Sequence, residues 1–333
     1  MEQGLLIGVD GGGTRTTAVA VRADGTVLAT ATGHGINYRN IGMDAARANL
    51  RAVVDALLAR CAATGYAHLC VGLSALDQEA DEATRRAFAG DAFPPGTMEL
   101  QSDAYTALMG ATLGEPGAIV ICGTGAMILL LDADGTQHVA QGWGHALGDV
   151  GSAYTLAVEG LRAAISAWEG LGEPTRLTDA ATRFYGLHAP RELIERIYAP
   201  LPEPDRIAQF ARAVLAEASA GDPVAHGIVT RNIRTLAHLC ALLMAAHPEA
   251  RRVGIYGGVF SHHPWVQRLF SEALCARHPG AQVGLPAYPP EVGAVLHSLR
   301  LRGALTPQVL ARIAQTHDAQ AAHTAPEIPR RGR

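Results

Sequence analysis

Two glycine turns, a glycine pair and one strand-end carboxylate are the places where this chain could do chemistry. Asp10-Gly11-Gly12-Gly13-Thr14 closes the apolar run Leu5 to Val9, and another apolar run, 16–21, follows almost at once. Three consecutive glycines carry no β-carbons, so the N–H groups of Gly12 and Gly13 can turn together around an anion. Asp10 stands at the strand end, where it could hold a cation through water, and Thr14 offers a hydroxyl to a phosphate oxygen. Gly123-Thr124-Gly125 repeats this arrangement after the apolar run 118–122. Gly257-Gly258 ends a further apolar run, 252–256, where bare backbone suits a flat ring lying on the main chain. Asp103 follows the short run 98–102 and is placed to accept a proton; the competing reading is a cap for a helix over 104–113. Two phosphate-sized turns, a cation-binding carboxylate and a base are the parts that phosphoryl transfer needs.

The elements that position these residues come in two similar rounds. Strands are expected over 5–10, 16–23 and 27–33, with an Asp-Gly hairpin turn at 23–26. The loop 33–42, dense in glycine and amide side chains, includes Asn37. A helix from Asp44 follows, with Ala45, Leu50, Val53, Val54, Leu57 and Leu58 at three- and four-residue steps, then a strand over 69–73, a helix over 81–89 and a strand over 98–102. The order then restarts: strand 118–122, glycine turn, strand 127–132, the Asp134-Gly135 turn, strand 138–141. Such a repeat predicts two related halves, each bringing a phosphate turn to a shared cleft. The glycine-rich segment 142–152 leads into a helix capped by Ser152, with Tyr154, Leu156, Ala157, Leu161, Ala164 and Ile165 on its inner face. Helices are expected over 175–185, 190–198, 204–219 and 223–246, then a strand over 252–256 and a helix from about 263. A strand over 283–285 and helices over 291–302 and 307–314 close the chain. The domain reading is therefore 1–114 and 115–316, with a helical insertion over 152–247 and a disordered tail over 317–333.

Composition narrows the classes. A chain of 333 residues with 48% hydrophobic and 17% charged residues is a globular composition large enough for about two domains. A net charge of −4 argues against a nucleic-acid partner, which would need a basic face. No run approaches 18 apolar residues, so no membrane span is expected. The start of the chain enters a strand without a basic segment, which reads as cytoplasmic. Five cysteines without CxxC spacing and fourteen histidines without HExxH spacing lead us to expect no metal site from His or Cys.

The Asp-Gly-Gly-Gly-Thr turn, the Gly-Thr-Gly turn and the Gly-Gly turn resemble the phosphate-1, phosphate-2 and adenosine motifs of the actin/hexokinase/Hsp70 ATPases. Within that group the chain resembles the BadF/BadG/BcrA/BcrD ATPase family over roughly 4–300, above all through Gly142-Trp143-Gly144-His145, Gly148-Asp149 and Gly151-Ser152. Asp77-Gln78-Glu79 and Gly221-Asp222-Pro223 belong to the same likeness. The resemblance implies an α/β fold of two ribonuclease-H-like domains with mixed sheets flanked by helices and the active site in the cleft. It further implies an ATP- and Mg²⁺-dependent amino-sugar kinase acting on the C6 hydroxyl of N-acetylglucosamine, a small-molecule partner and a homodimer. Asp103 matches the base. Asp10, Gly12, Gly13, Thr14, Gly123, Thr124, Gly125, Gly257 and Gly258 match the nucleotide side, with Asp10 toward Mg²⁺ through water. Asn37, Asp103, Ala126, Met127, Gly142, Trp143, Gly144 and Asp149 match the sugar side. For Asp149 a loop-stabilising role, and for Trp143 packing under the loop, stand as alternatives. Three positions depart from the family pattern. Ala126 and Met127 replace the usual Ser and Asn, Val150 replaces a glutamate, and Cys122 precedes the second turn. The first two remove polar groups from the sugar side, so glucosamine or another amino sugar is the alternative acceptor. An iron–sulfur activator ATPase of 2-hydroxyacyl-CoA dehydratases or benzoyl-CoA reductase is a more distant one, although its cysteine positions are not matched.

Overall fold

A computed structural model describes residues 4–76, 82–90, 93, 96–199, 201 and 203–324. Its strands are β1 (Leu6–Gly11), β2 (Arg15–Val21), β3 (Val27–His34), β4 (His68–Leu73) and β5 (Met98–Ser102), then β6 (Gly117–Cys122), β7 (Ala126–Leu131), β8 (Gln137–Gln141), β9 (Arg252–Tyr256) and β10 (Gln282–Gly284). The helices begin with α1 (Tyr38–Ile41), α2 (Met43–Arg60), α3 (Glu82–Ala89), α4 (Asp103–Thr112), α5 (Ala153–Trp168), α6 (Leu177–Tyr185) and α7 (Leu193–Tyr198). They continue with α8 (Pro204–Ala208), α9 (Ala211–Ser219), α10 (Pro223–Ala245), α11 (Gly258–Ser261), α12 (Pro264–Cys275), α13 (Pro290–Leu301) and α14 (Pro307–Thr324). Unit 1 is built from the chain up to Gly114 and again from Pro286; unit 2 runs from Glu115 to Leu285.

Each unit holds one five-stranded mixed sheet, and the two sheets have the same topology. In unit 1 the order is β3-β2-β1-β4-β5; in unit 2 it is β8-β7-β6-β9-β10. The first three strands of each are antiparallel and the last two join in parallel. This is the ribonuclease-H-like arrangement in duplicate. The likeness reaches the hairpin backbones, where Arg22 N donates to Thr26 O at 2.9 Å and Asp132 N to Thr136 O at 3.1 Å; a side chain is added from a different turn position in each, Asp24 Oδ1 accepting from Thr26 N and Asp132 Oδ1 from Thr136 N. Both side chains thereby fix the turn that sets the strand register. Central strands β1 and β6 are buried along nearly their whole length, which is why each reads as an unbroken apolar run.

Helix α2 covers sheet one with Ala46, Leu50, Val53, Val54 and Leu57, a single stripe at helical spacing. Ala45, expected on that stripe, is exposed. On α5 the buried positions are Leu156, Ala157, Gly160, Leu161 and Ala164, whereas Ile165 is 39% exposed rather than inner. The expected helix 204–219 is two helices, α8 and α9, and the loop 33–42 contains the short α1.

The C-terminal segment departs most from expectation. From Pro286 it packs in unit 1, not in the second half, and α14 is helical through Thr324, well into the stretch read as a disordered tail. Tertiary contact explains this. Thr316 Oγ1 accepts from Val27 N at 2.9 Å, and Ile313 is fully buried. Helix α13 is buried from Val292 to Leu299, including His297 and Ser298. Those two polar residues are partnered: His297 Nδ1 lies 3.0 Å from the Tyr105 hydroxyl, and Ser298 Oγ 2.8 Å from His68 Nδ1. The approach of α13 to β1 depends on Gly8, where a β-carbon would overlap the Glu291 carbonyl oxygen and press on Val295. Gly8→Ala should therefore push α13 off β1 and destabilise the protein by about 1–3 kcal/mol, the usual cost of overpacking. Chemical denaturation would show this as a lower midpoint, and an unchanged midpoint would mean the contact yields freely.

Candidate active site

In unit 1 three carboxylates gather near the C-terminal ends of parallel strands, where open α/β sheets characteristically bind ligands. Asp10 is the penultimate residue of β1, and Asp103 is the first residue of α4, directly after β5. Register places Asp10 level with Gly72 and Gln101, so β1 and β5 stand two strand spacings apart, about 9.5 Å. Ser102 caps α4 by accepting from Tyr105 N at 3.2 Å, which answers the alternative reading of Asp103 as the cap. Asp103 Oδ1 instead accepts from Ala104 N at 2.7 Å, holding the carboxylate at the head of the helix. Burial pushes the Asp103 carboxyl above its ordinary range despite that bond. Asp10 is raised to about 6, by burial first and by the charge of Asp103 second. Glu291, at the start of α13, is raised to about 7 by burial and by Asp10, with Arg15 pulling the other way. Among the described residues no cationic side chain lies within 4 Å of Asp10, Asp103 or Glu291.

The first glycine turn is braced from below. Gly12 N donates to Arg15 O, Gly35 N to Thr14 O and Ile36 N to Gly12 O, all at 3.0–3.1 Å. Gly13 and Thr14 stay exposed. Asn37 caps α1 by accepting from Arg39 N at 3.1 Å, and its Nδ2 donates to Ser74 Oγ at 3.3 Å. Ser74 itself is tied to the turn through its N–H to Gly11 O, 3.0 Å.

In unit 2 the second glycine turn is a tight β6–β7 link in which Gly123 N donates to Gly125 O at 2.9 Å. Thr124 is exposed. The head of α5 reaches this turn: Ala153 N donates to Gly123 O at 2.8 Å and Tyr154 N to Thr124 O at 3.3 Å. Gly257, at φ +102°, lies so close to Cys122 O that a side chain could not be accommodated, which brings the Gly257-Gly258 turn beside the Gly-Thr-Gly turn. Cys122 is buried strand core, its Sγ 2.8 Å from Gly151 O.

The loop 142–152 is organised around Asp149. This carboxylate is 5% exposed, at φ +62°, and its Oδ2 would sit 2.7 Å from a β-carbon on Gly125. Burial raises its pKa against the backbone N–H groups of Gly144, Ala126 and Gly142. Its Oδ1 has no hydrogen-bond partner among the described residues. Asp149 is thus both the brace of the loop and an acceptor left open. Gly142 and Gly144 stand at φ +77° and +81°, and Gln141 Oε1 holds Val150 N at 3.1 Å. Trp143 is 75% exposed, so it does not pack under the loop. Ala126 is buried and Met127 half-buried, with its β-carbon facing Gly142.

Within unit 1 the structure thus groups Asp10, Gly12, Gly13 and Thr14 around one turn and couples Asp103 electrostatically to Asp10. Within unit 2 it groups Gly123, Thr124 and Gly125 with Gly257, Gly258, Gly142, Gly144 and Asp149. Sequence reasoning missed Glu291 and Ser74. Glu291 lies far along the chain, and only the docking of α13 through Gly8 brings it to Asp10. Asp77-Gln78-Glu79 lies outside the described residues. Asp222, from the other segment of the family likeness, caps α10, accepting from Ala225 N and Arg176 N at 2.8 Å. The five cysteines are all free, and three of them are buried. No helix among the described residues is long and apolar enough to cross a membrane.

Comparison with known proteins places the chain among relatives. The model of the BadF/BadG/BcrA/BcrD ATPase family matches residues 7–298. An N-acetyl-D-glucosamine kinase of Dictyostelium discoideum is 27% identical over 315 residues, covering 90% of this chain and 99% of that protein. The glucosamine kinase GspK of Vibrio cholerae is 30% identical over 259 residues, covering 76% of this chain and 84% of that protein. Among solved structures, a candidate N-acetylglucosamine kinase from Chromobacterium violaceum superposes with a TM-score of 0.66 at 26% identity, covering 91% of this chain and 99% of the other. The chain belongs to the BadF/BadG/BcrA/BcrD ATPase family.

Proposed function

We propose that this protein is an ATP-dependent amino-sugar kinase that transfers the γ-phosphoryl group of ATP to the C6 hydroxyl of N-acetylglucosamine, with Asp103 as the general base. The observation that carries the reading is the state of Asp103: half-buried, raised in pKa, and bonded only locally at the head of α4. Such a carboxylate is a competent proton acceptor for an attacking hydroxyl. The names and coverage of the curated relatives support the choice of an amino sugar.

The chain's own residues divide the work. Exposed Gly13 and Thr14 in unit 1, and Thr124 in unit 2, present N–H and hydroxyl donors of the kind that cradle phosphate oxygens. Asp10 and Glu291 fit a divalent cation, because both are carboxylates raised in pKa by burial first and by a neighbouring carboxylate second. Bound there, Mg²⁺ would neutralise charge on the phosphates. Bare backbone at Gly257 and Gly258 suits the nucleotide base. Asn37, Asp149 Oδ1 and the loop 142–144 supply the polar groups for sugar hydroxyls. A second reading, glucosamine as the preferred acceptor, is favoured by one observation: neither Ala126 nor Met127 offers a hydrogen-bonding side chain beside Gly142. A free amine does not need the partner that an acetamido carbonyl requires.

The test of the base is kinetic. Asp103→Asn should lower kcat by about 10²–10⁴-fold while leaving sugar affinity, read by calorimetry, within a few-fold. Retention of kcat within tenfold would remove Asp103 from that role.

The acidic cluster makes a second prediction, in chelator and without nucleotide. Glu291 binds its proton more tightly when folded (about 7) than at its ordinary value of 4.5. The stability this confers is present below pH 4.5 and is lost as pH rises to about 7. Glu291→Gln should therefore melt higher than the wild type at pH 8 and flatten the decline between pH 4.5 and 7. Identical melting profiles would show that Glu291 is not strained by charge.

A further inference from the structure

Unit 2 contains a cluster that the kinase reading does not use. Asp132 follows β7, His138 lies on edge strand β8, and His247 follows the C-terminal end of α10. One ligand atom from each lies within 4.8 Å of the others. Asp132 Oδ2 is 2.8 Å from His138 Nε2, and the rings of His138 and His247 stand 4.1 Å apart at 40°. We propose that Asp132, His138 and His247 form a binding site for a divalent transition-metal ion of the zinc class, which clamps the end of α10 to the β7–β8 hairpin.

The argument is one of donors, orientation and shelter. The Asp132–His138 hydrogen bond would by itself explain that pair as a hairpin lock. It does not account for a second imidazole brought in from another element to share the same small volume. Ligands bound at about 2.0–2.2 Å around a tetrahedral ion sit roughly 3.3–3.6 Å apart. The present separations bracket that range, so small side-chain movements would close the site. The carboxylate is already oriented, because Asp132 Oδ1 is occupied by Thr136 N at 2.8 Å and Oδ2 is left to the cluster. Held this way, a ligand loses little freedom on binding. His247 Nδ1 lies 3.9 Å from Glu249 Oε1, which offers either an orienting partner or a fourth donor. The side chains are sheltered, 13% exposed for Asp132, 31% for His138 and 17% for His247. Two imidazoles and a carboxylate suit zinc and its neighbours, whereas Mg²⁺ and Ca²⁺ favour all-oxygen sites.

The test uses the full-length protein, stripped with chelator and titrated with ZnCl₂, with MgCl₂ as control. After desalting, bound metal is counted by mass spectrometry while the melting temperature is followed. We expect one zinc per chain and a zinc-dependent rise in melting temperature that Mg²⁺ does not reproduce. His138→Gln and His247→Gln should each weaken zinc binding by more than about 100-fold, beyond what outer-shell changes cost, with circular dichroism unchanged. Equal zinc content and equal melting shifts in the wild type and the His138→Gln/His247→Gln double variant would overturn the proposal. Should the variants fail to fold, anomalous diffraction at the zinc edge on wild-type crystals decides. A peak among the three side chains supports the site, and peaks only elsewhere overturn it.

Discussion

The constraint on which unit 1 turns is the confinement of three carboxylates at one end of a sheet, with no ion-paired cation among the described residues to offset them. Asp10, Asp103 and Glu291 come from β1, α4 and α13, and burial raises the pKa of each. Burying ionised carboxylates in this way costs stability, about 1.4 kcal/mol for every tenfold weakening of the acid. A fold keeps them only where something else is served, and the polyphosphate–cation complex proposed for this cluster would supply the missing positive charge. The surrounding architecture reads as provision for that cluster. Gly8 lets α13 reach β1, Ser102 rather than Asp103 caps α4, and the glycine turn after Asp10 is braced by Gly35 and Ile36.

Unit 2 answers with backbone rather than charge. Its sheet repeats the topology of the first, but β6 and β9 end in Gly-Thr-Gly and Gly-Gly turns, whereas in unit 1 β1 and β5 deliver Asp10 and Asp103. One acid, Asp149, is retained, and the loop 142–152 is folded onto it. The helices α5 to α10, inserted between β8 and β9, enlarge the unit without disturbing the sheet order. In a duplicated fold this is how two halves acquire different duties: the strand order is kept, and the turns and insertions diverge.

Much of this was legible in the sequence because it is local. Glycine runs, Asp-Gly hairpins, the Ser152 cap and the apolar strands state their structure within a few residues, so the repeat could be read directly, while the ribonuclease-H-like fold came with the family resemblance. What escaped depends on distant contacts. Glu291 joins Asp10 only after α13 docks. Helix α14 continues past residue 314 because Thr316 bonds to Val27 and Ile313 is buried. Trp143 is exposed, in a loop that Asp149 braces through the backbone N–H groups of Gly142 and Gly144, which no side-chain pattern announces. The Asp132, His138 and His247 cluster has no ligand spacing to find, since its third member arrives at the end of a helix more than a hundred residues on.

The most direct measurement is product analysis. The protein is incubated with Mg-ATP and, in separate reactions, N-acetylglucosamine, glucosamine, N-acetylmuramic acid and glucose, and the products are followed by coupled ADP release and phosphorus NMR. The account predicts sugar-dependent ADP release and a 6-phosphate ester, with N-acetylglucosamine the preferred acceptor. Preference for glucosamine would keep the transfer and move the specificity to the apolar side chains of Ala126 and Met127. ADP release that ignores every sugar, with inorganic phosphate as the only product, would contradict it.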